Sequence, residues 1–585
     1  MDIMTSRLNI SDWTPEYFLA NKSTCNVNLE NPEIVKQIPC LNYVPLHYFT
    51  DRQLVRFQGM VQDMYNPEYY FQQYEVKNTL SKAQEIRSGM YADSARCLPH
   101  EEILVESEKN CSAERHTCVV ISTPGLNEWA KERYEKSSCL NLNAVTNCKR
   151  NLEESTEEAM DCSEPVRKKD RILLNTESTE NNVKEHNEDR QNIFSKEYLL
   201  NFPIPIDDGR TCIIKIYDDM ALKLNEVIEI IGFVSLDPFI NAYDTDETMT
   251  EAEMNVHHPP TSLVPRIHAI KLSRLSKEIE SAPEIISKAK SIRNHLHLVL
   301  SNILFGDRLA ADYLICHLLS SIYMRRDYFC LGTYPINITH FPANENKTFV
   351  EDLYKFLTMF VEKSHLLEIT LENLNDLTLS PKKDYDSNRL TSGVLQLSDN
   401  THLVIDETRL TPGQVSQAGR ENYNTICDLI NFQKVTYNFK FYKMEYETDI
   451  PVLILSEAKS FIPCQNQVVL KIDAESKNVY PHVIEVAEQY LKDENRLKDI
   501  RQYLKVVKDV KFQFNDDIVK EVQNDFVQLR QIHKNVNVDH LHSLMILARL
   551  LSLSYGSNTL TTEYWKMAVQ MEMERLDRLP KKKEA

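Results

Sequence analysis

An apolar segment that ends in two carboxylates constrains the fold of this chain more than any other feature. Residues 403–407 read Leu-Val-Ile-Asp-Glu, and many nucleotide hydrolases use such a strand to place a magnesium-binding carboxylate beside a water-activating one. These enzymes also need a phosphate-binding loop in which glycine precedes lysine. None of the 11 glycines here is followed by lysine. The pattern predicts an ATPase-like module that has lost its catalytic site. Such a module would act by binding a partner rather than by hydrolysing nucleotide.

The composition favours protein partners over nucleic acid. The 585 residues leave room for roughly two to four domains, and the formal net charge is −19. An acidic chain repels DNA phosphates unless its basic residues cluster. The 13 cysteines show no C-x-x-C spacing, so we expect free thiols in a reducing compartment and no structural zinc. Because we find no signal peptide and no apolar run of about 18 residues, we expect an intracellular, soluble protein that is not bound to a membrane.

The N-terminal half is predicted to be a small β domain. Five segments have the alternation or the aromatic content of strands: 55–64, 68–76, 116–123, 211–219 and 225–236. A stretch at about 137–192 is rich in Asn, Ser and Glu and has no apolar period, which predicts a disordered insert. Short strands interrupted by an insert predict an OB-like β-barrel over 51–240, preceded by an N-terminal segment, 1–50.

The C-terminal half is predicted to be an α/β domain with a helical subdomain. A polar stretch at 241–264 contains two prolines and indicates a linker. Helical and strand patterns alternate over 265–475, and the fully apolar strand 451–456 suits the middle of a covered parallel sheet. The alternation over 434–447 predicts a hairpin. From 476 to 585 the pattern is helical.

The expected position of the phosphate loop can be inspected directly. It would follow a strand at 334–339, and there Phe341 and Asn346 stand where the loop needs glycines, although Lys347 and Thr348 are in register. The required backbone angles cost other residues about 1–2 kcal/mol. A phenyl ring would also occupy space that phosphates need. The alternatives are a retained phosphate contact and a plain helix start with Thr348 near the cap.

Asp406 and Glu407 also allow two interpretations. They can be the remnant of a magnesium and water site, or an acidic pair that caps a helix or holds a loop. A strand followed by two carboxylates does not by itself distinguish these alternatives.

Long blocks of the sequence at 55–70, 304–327, 383–397 and 551–565 can be compared with known families. They resemble the MCM complex-binding protein family, and 389–439 resembles the core of the MCM replicative helicase. The resemblance implies a degenerate MCM/AAA+-like α/β domain after the OB-like barrel. It implies a nuclear, non-catalytic partner of MCM helicase subunits that assembles, protects or unloads helicase complexes and acts in sister-chromatid cohesion. No cofactor is implied, chromatin association is indirect, and no sequence-specific binding of nucleic acid is expected.

Other departures from the active helicase pattern support the loss of the nucleotide-binding site. Alignment with the lid helix of active members puts Asp539 at the position of a sensor arginine, where a carboxylate repels phosphate. The strand 451–456 is followed by Glu-Ala-Lys in place of an asparagine-bearing sensor loop. Two other functions stay open. One is a weak or degenerate ATPase that uses Asp406 and Glu407, and the other is an OB-fold binder of single-stranded nucleic acid.

A short basic cluster lies in the predicted insert. Arg167, Lys168 and Lys169 follow a proline and a valine. Such a cluster in an exposed segment predicts a nuclear import signal, and the alternative is a patch that balances the surrounding glutamates.

Overall fold

The computed structural model describes residues 10–138, 195–236, 250–275, 282–326, 329–342, 348–513, 518–532 and 537–580. The described chain is a mixed α/β protein, as the sequence predicts at this coarse level. Within these ranges, no helix is long and apolar enough to cross a bilayer.

The strands fall into two large sheets, a smaller sheet and a short hairpin. In chain order they are β1 (Leu54–Met64), β2 (Glu68–Asn78), β3 (Gln84–Ser88), β4 (Glu101–Ile103), β5 (Cys111–Ile121), β6 (Thr211–Ile216), β7 (Val227–Ser235), β8 (Arg266–Arg274), β9 (Met324–Arg326), β10 (Phe329–Leu331), β11 (Ile336–Thr339), β12 (Ser364–Glu368), β13 (Lys382–Asp384), β14 (Arg389–Thr391), β15 (His402–Asp406), β16 (Lys434–Asn438), β17 (Lys443–Glu447), β18 (Val452–Ser456) and β19 (Gln467–Val469).

The helices are concentrated in the C-terminal half. They are α1 (Pro15–Ala20), α2 (Lys22–Leu29), α3 (Pro32–Val35), α4 (Glu128–Ser138), α5 (Lys196–Leu200), α6 (Glu251–His257), α7 (Ala282–Ile303), α8 (Arg308–Leu318), α9 (Phe349–Phe360), α10 (Leu371–Asp376), α11 (Gln417–Phe432), α12 (Ala474–Asn478), α13 (Tyr480–Leu491), α14 (Glu494–Lys508), α15 (Val519–Ile532), α16 (Val538–Ser554) and α17 (Thr562–Arg578).

The first sheet contains β1 to β8. Its strands pair in the order β1-β7-β8-β6-β5-β2-β3, β5 pairs again with β1, and β4 pairs with β2. Among the described strands of this sheet, only β6 and β8 form a parallel pair. The close approach of β1 to β5 requires a glycine, because a Cβ atom on Gly59 would lie 2.4 Å from the Ile121 carbonyl oxygen. The strand predictions for this half are confirmed by β1, β2, β5, β6 and β7, whereas the OB-like barrel remains a prediction.

Some elements lie differently from the pattern of the sequence. Strand β8 lies beyond the predicted boundary at 264 but pairs with β6 and β7 of the first sheet. Helix α6 lies within the stretch 241–264 that was predicted as a linker. Helix α8 ends at Leu318, although the next two residues, Leu319 and Ser320, are also buried. The insert at about 137–192 lies almost entirely outside the described residues.

The second large sheet is parallel throughout. Its order is β12-β15-β18-β11-β19. In the central strand β18, Leu453 and Leu455 join the core formed with α7, α8, α9 and the C-terminal helices. Val452 and Ile454 join the opposite core, which α11 covers. This burial on both faces explains the fully apolar sequence of the strand.

The hairpin predicted at 434–447 is confirmed as β16 and β17. It belongs to a four-stranded sheet with the order β14-β13-β16-β17, so β17 is an edge strand of that sheet. The helical prediction for the C-terminal region is also confirmed, by α13 to α17.

Side-chain contacts of several residues join the two halves of the chain directly. On α4, the indole N–H of Trp129 donates to the carbonyl oxygens of Thr358 and Val361, at 2.9 and 3.1 Å. At the end of β1, the buried Asp63 carboxylate accepts a hydrogen bond of 2.7 Å from the Leu390 backbone N–H. The first sheet is therefore held against the α/β region by side-chain contacts as well as by chain connection.

Candidate functional site

The acidic pair lies at the carboxyl edge of the parallel sheet, where ligands of such folds bind. Asp406 is the last residue of β15 and is buried. Its Oδ1 accepts a hydrogen bond of 2.9 Å from the backbone N–H of Thr408. Its carbonyl oxygen accepts one of 2.8 Å from Ile369 N–H. Asp406 therefore holds the turn that follows its own strand.

The Glu407 carboxylate is bound by a neighbouring loop. Its Oε1 accepts hydrogen bonds from the Ser460 hydroxyl and the Ile462 N–H, both at 2.9 Å. Its Oε2 accepts one of 3.0 Å from the Phe461 N–H. Burial raises the pKa of Glu407, and the three donors act in the opposite direction. Both oxygens are already engaged, so the side chain has little capacity left to orient an attacking water.

Arg409 supplies a positive charge to a group of carboxylates at this edge. Its guanidinium is 3.0 Å from Glu351, in the first turn of α9, and 3.2 Å from Glu368, at the end of β12. The Arg409 Nε is 4.0 Å from the Asp406 Oδ2. An arginine thus offsets negative charge at the place where active nucleotide enzymes use a metal ion. The sequence reasoning missed this cluster, because residues far apart in the chain form it.

The position of the expected phosphate loop is filled by aromatic packing. Phe341 follows β11 by two residues and is buried, with its ring centroid 4.7 Å from that of Phe349 in α9. The Phe349 ring in turn lies 5.3 Å from that of Phe305. Thr348 is the N-cap residue of α9, but its side chain makes no capping hydrogen bond. Asn346 and Lys347 lie outside the described residues.

Asp539 lies in the first turn of α16 and is exposed. In the described structure its carboxylate accepts a hydrogen bond of 3.1 Å from the side chain of Asn537, the N-cap residue. An acidic residue is favourable at this end of a helix. The contact with Asn537 therefore accounts for an aspartate at position 539 without any role in nucleotide binding.

The C-terminal helices are fixed to the sheet near this site. The Ser543 hydroxyl on α16 donates to Asn466 Oδ1 at 2.7 Å, just before β19. On α17, Arg575 donates to the Gln467 carbonyl oxygen at 3.0 Å, and Arg578 forms an ion pair of 2.6 Å with Asp307. These contacts favour a fixed orientation of the C-terminal helices relative to the sheet.

The comparisons with known proteins decide the family. A family model described as mini-chromosome maintenance replisome factor matches residues 25–579. The chain belongs to this family. Mini-chromosome maintenance complex-binding proteins of Mus musculus and Homo sapiens are each 35% identical, and the matches cover 94% of this chain and 92% of those proteins. The Drosophila melanogaster protein of that name is 33% identical, with 94% of each chain covered. The resemblance of the sequence blocks to the MCM complex-binding protein family is thereby confirmed.

The basic cluster of Arg167, Lys168 and Lys169 lies outside the described residues, so it stays a prediction.

Proposed function

We propose that this chain is a non-catalytic binding partner of the MCM complex. One observation carries the proposal: relatives that match over 94% of the chain are named for binding that complex. The non-catalytic part is supported by Glu407, whose carboxylate is bound by loop 460–462. It is also supported by Phe341, which packs in the core where a phosphate loop would need glycine. Both observations weigh against the weak-ATPase alternative.

We infer that the two large sheets belong to an OB-like and an AAA+-like unit. Five strands of the first sheet pair in the order β1-β7-β8-β6-β5-β1 with one parallel pair, which supports an OB-like arrangement. The all-parallel second sheet, with Asp406 and Glu407 where β15 ends, supports an AAA+-like arrangement.

The mechanism that follows from this inference is mimicry. MCM subunits pack as a ring of ATPase modules, and a module of similar outline that turns over no nucleotide can occupy a subunit interface and weaken the ring. Assembly, protection or unloading of MCM complexes, and a role in sister-chromatid cohesion, are the consequences we propose for the cell.

The acidic pair provides the test of the non-catalytic proposal. The variant Asp406→Asn/Glu407→Gln is expected to recover purified MCM complex as well as the wild type does, because no catalytic step is removed. Calorimetric titration of the wild type with magnesium and ATP at millimolar concentration is expected to show no binding heat. ATP hydrolysis by the wild type that Glu407→Gln abolishes would instead establish the degenerate ATPase. Failure of the wild type to bind MCM complex would refute the binding proposal.

We also propose that the protein is nuclear and that residues 167–169 form its import signal. Replacement of Arg167, Lys168 and Lys169 by alanine is expected to shift the protein to the cytoplasm, since import receptors read clustered positive charge. The measurement is the nuclear fraction of a fluorescent fusion that is too large to diffuse. Alanine at Lys22, Lys36 and Lys77 serves as the control for lost charge. Unchanged nuclear accumulation of the 167–169 variant would rule out this signal.

A further inference from the structure

The turn between β16 and β17 presents aromatic side chains to solvent. We define the aromatic tip as residues 439–442, Phe-Lys-Phe-Tyr, together with Tyr385 from the neighbouring β13–β14 turn. Phe441 is 78% exposed, and Tyr442 and Tyr385 are also exposed. Large apolar side chains that cluster on a surface mark interaction sites more often than scattered ones do.

The aromatic tip is held in one shape by its own contacts. The Phe439 and Tyr442 rings stack with centroids 5.0 Å apart and planes within 4°. The Tyr385 hydroxyl donates to the Phe439 carbonyl oxygen at 2.9 Å, and the Tyr385 ring packs edge-on to Phe441 at 5.3 Å. These contacts hold the tip while leaving Phe441 accessible. Preorganisation of this kind lowers the entropy cost of binding.

The charges around the aromatic tip indicate what it can bind. Lys440 and Lys443 are exposed at the turn, so the tip is locally positive in a chain of net charge −19. Further along β17, Glu445 and Glu447 are also exposed, but each lies near a cation, Lys434 at 2.8 Å and Arg325 at 3.7 Å. A nucleic-acid strand that extended beyond the tip would instead be repelled by the net negative charge of the chain as a whole. A compact apolar pocket with carboxylates at its rim would contact only the tip and its two lysines.

We propose that the aromatic tip docks into an apolar pocket, rimmed by carboxylates, on the MCM complex. This inference rests on the proposed function, because it names the contact through which the complex is bound. Phe441 is the anchor that fills the pocket, and Lys440 and Lys443 pair with its acidic rim. Buried aromatic anchors that are ringed by polar contacts carry most of the binding energy in protein interfaces.

The test measures affinity for purified MCM complex of the same species, with the full chain immobilised. Phe441→Ala is expected to weaken binding by about 30-fold or more, the loss typical of a central anchor. Lys440→Glu/Lys443→Glu is also expected to weaken binding. Its loss of affinity relative to the wild type should grow as the salt concentration is lowered, because like charges then repel more strongly. Leu80→Ala is the matched control, since Leu80 is 76% exposed on the β2–β3 connection, and it should bind as the wild type does.

Folding is checked by thermal melting, in which all three variants should match the wild type. If the wild type binds the MCM complex and Phe441→Ala binds equally well, the docking proposal is wrong while the proposed function stands. If the wild type itself does not bind, the proposed function has failed. Binding of a fluorescent oligo-dT strand that Phe441→Ala abolishes, or self-association that it abolishes, would each assign the tip to another occupant and overturn the proposal.

Discussion

Replacement of Arg575 by methionine is expected to lower the free energy of unfolding by about 3–5 kcal/mol. Arg575 is fully buried on α17 and contacts Glu572 through Nε and Nη2, at 2.9 and 2.5 Å. The Glu572 carboxylate also accepts a hydrogen bond of 3.0 Å from the Tyr313 hydroxyl. Without the arginine, a buried carboxylate loses its cation, and that desolvation cost dominates the loss.

The measurement is urea unfolding of the full chain. The double variant Glu572→Gln/Arg575→Met is expected to regain a large part of the lost stability, because it leaves no buried charge uncompensated. Lys288→Met is the surface control, since Lys288 pairs with Glu284 on an exposed helix face and its loss should leave the urea midpoint nearly unchanged. An Arg575→Met variant as stable as this control would show that the buried pair contributes nothing.

The buried pair also bears on function. Arg575 donates to the Gln467 carbonyl oxygen, so it fixes α17 to the edge strand β19 of the parallel sheet. If the proposed function holds, C-terminal helices anchored by a buried ion pair suit a chain that keeps one fixed surface for binding a partner.

The sequence predicted the elements that local patterns encode. The apolar run at 451–456 and the alternation at 434–447 each reflect neighbours within a few residues, so β18 and the β16–β17 hairpin could be located. The same reasoning located the acidic pair at the end of β15. Periodicity reports which faces of an element are buried, and these elements are buried in a regular way.

The partners of the acidic pair could not be predicted in this way. Glu407 is bound by residues 460–462, and Arg409 by Glu351 and Glu368. These residues meet only because parallel strands bring their carboxyl ends to one edge of the sheet. The pairing of β8 with the first sheet could not be predicted for a related reason. Its parallel partner β6 lies about 50 residues earlier in the chain, on the other side of the predicted boundary at 264.

Replacement of Glu407 by alanine is expected to loosen the loop that follows β18. The variant removes three hydrogen bonds and leaves the N–H groups of Phe461 and Ile462 without their acceptor. An unsatisfied buried donor costs roughly 1–3 kcal/mol, and the Ile462 N–H is buried while the Phe461 N–H is partly buried, so a total loss of about 3 kcal/mol is expected. Hydrogen exchange at these two amides should accelerate on the order of 100-fold.

Two matched variants separate the role of the Glu407 carboxylate from general effects of substitution. Glu407→Gln retains one oxygen, which can still accept from Ser460 and Ile462, so it should lose less protection than Glu407→Ala. Glu457→Ala changes an exposed glutamate in the same loop and should leave exchange at Phe461 unaltered. Equal exchange in Glu407→Ala and the wild type would mean that the carboxylate does not hold the loop. If the exchange rate falls in the order Glu407→Ala, Glu407→Gln, wild type, and no ATP hydrolysis is detected, then Glu407 holds the loop and takes no part in nucleotide chemistry.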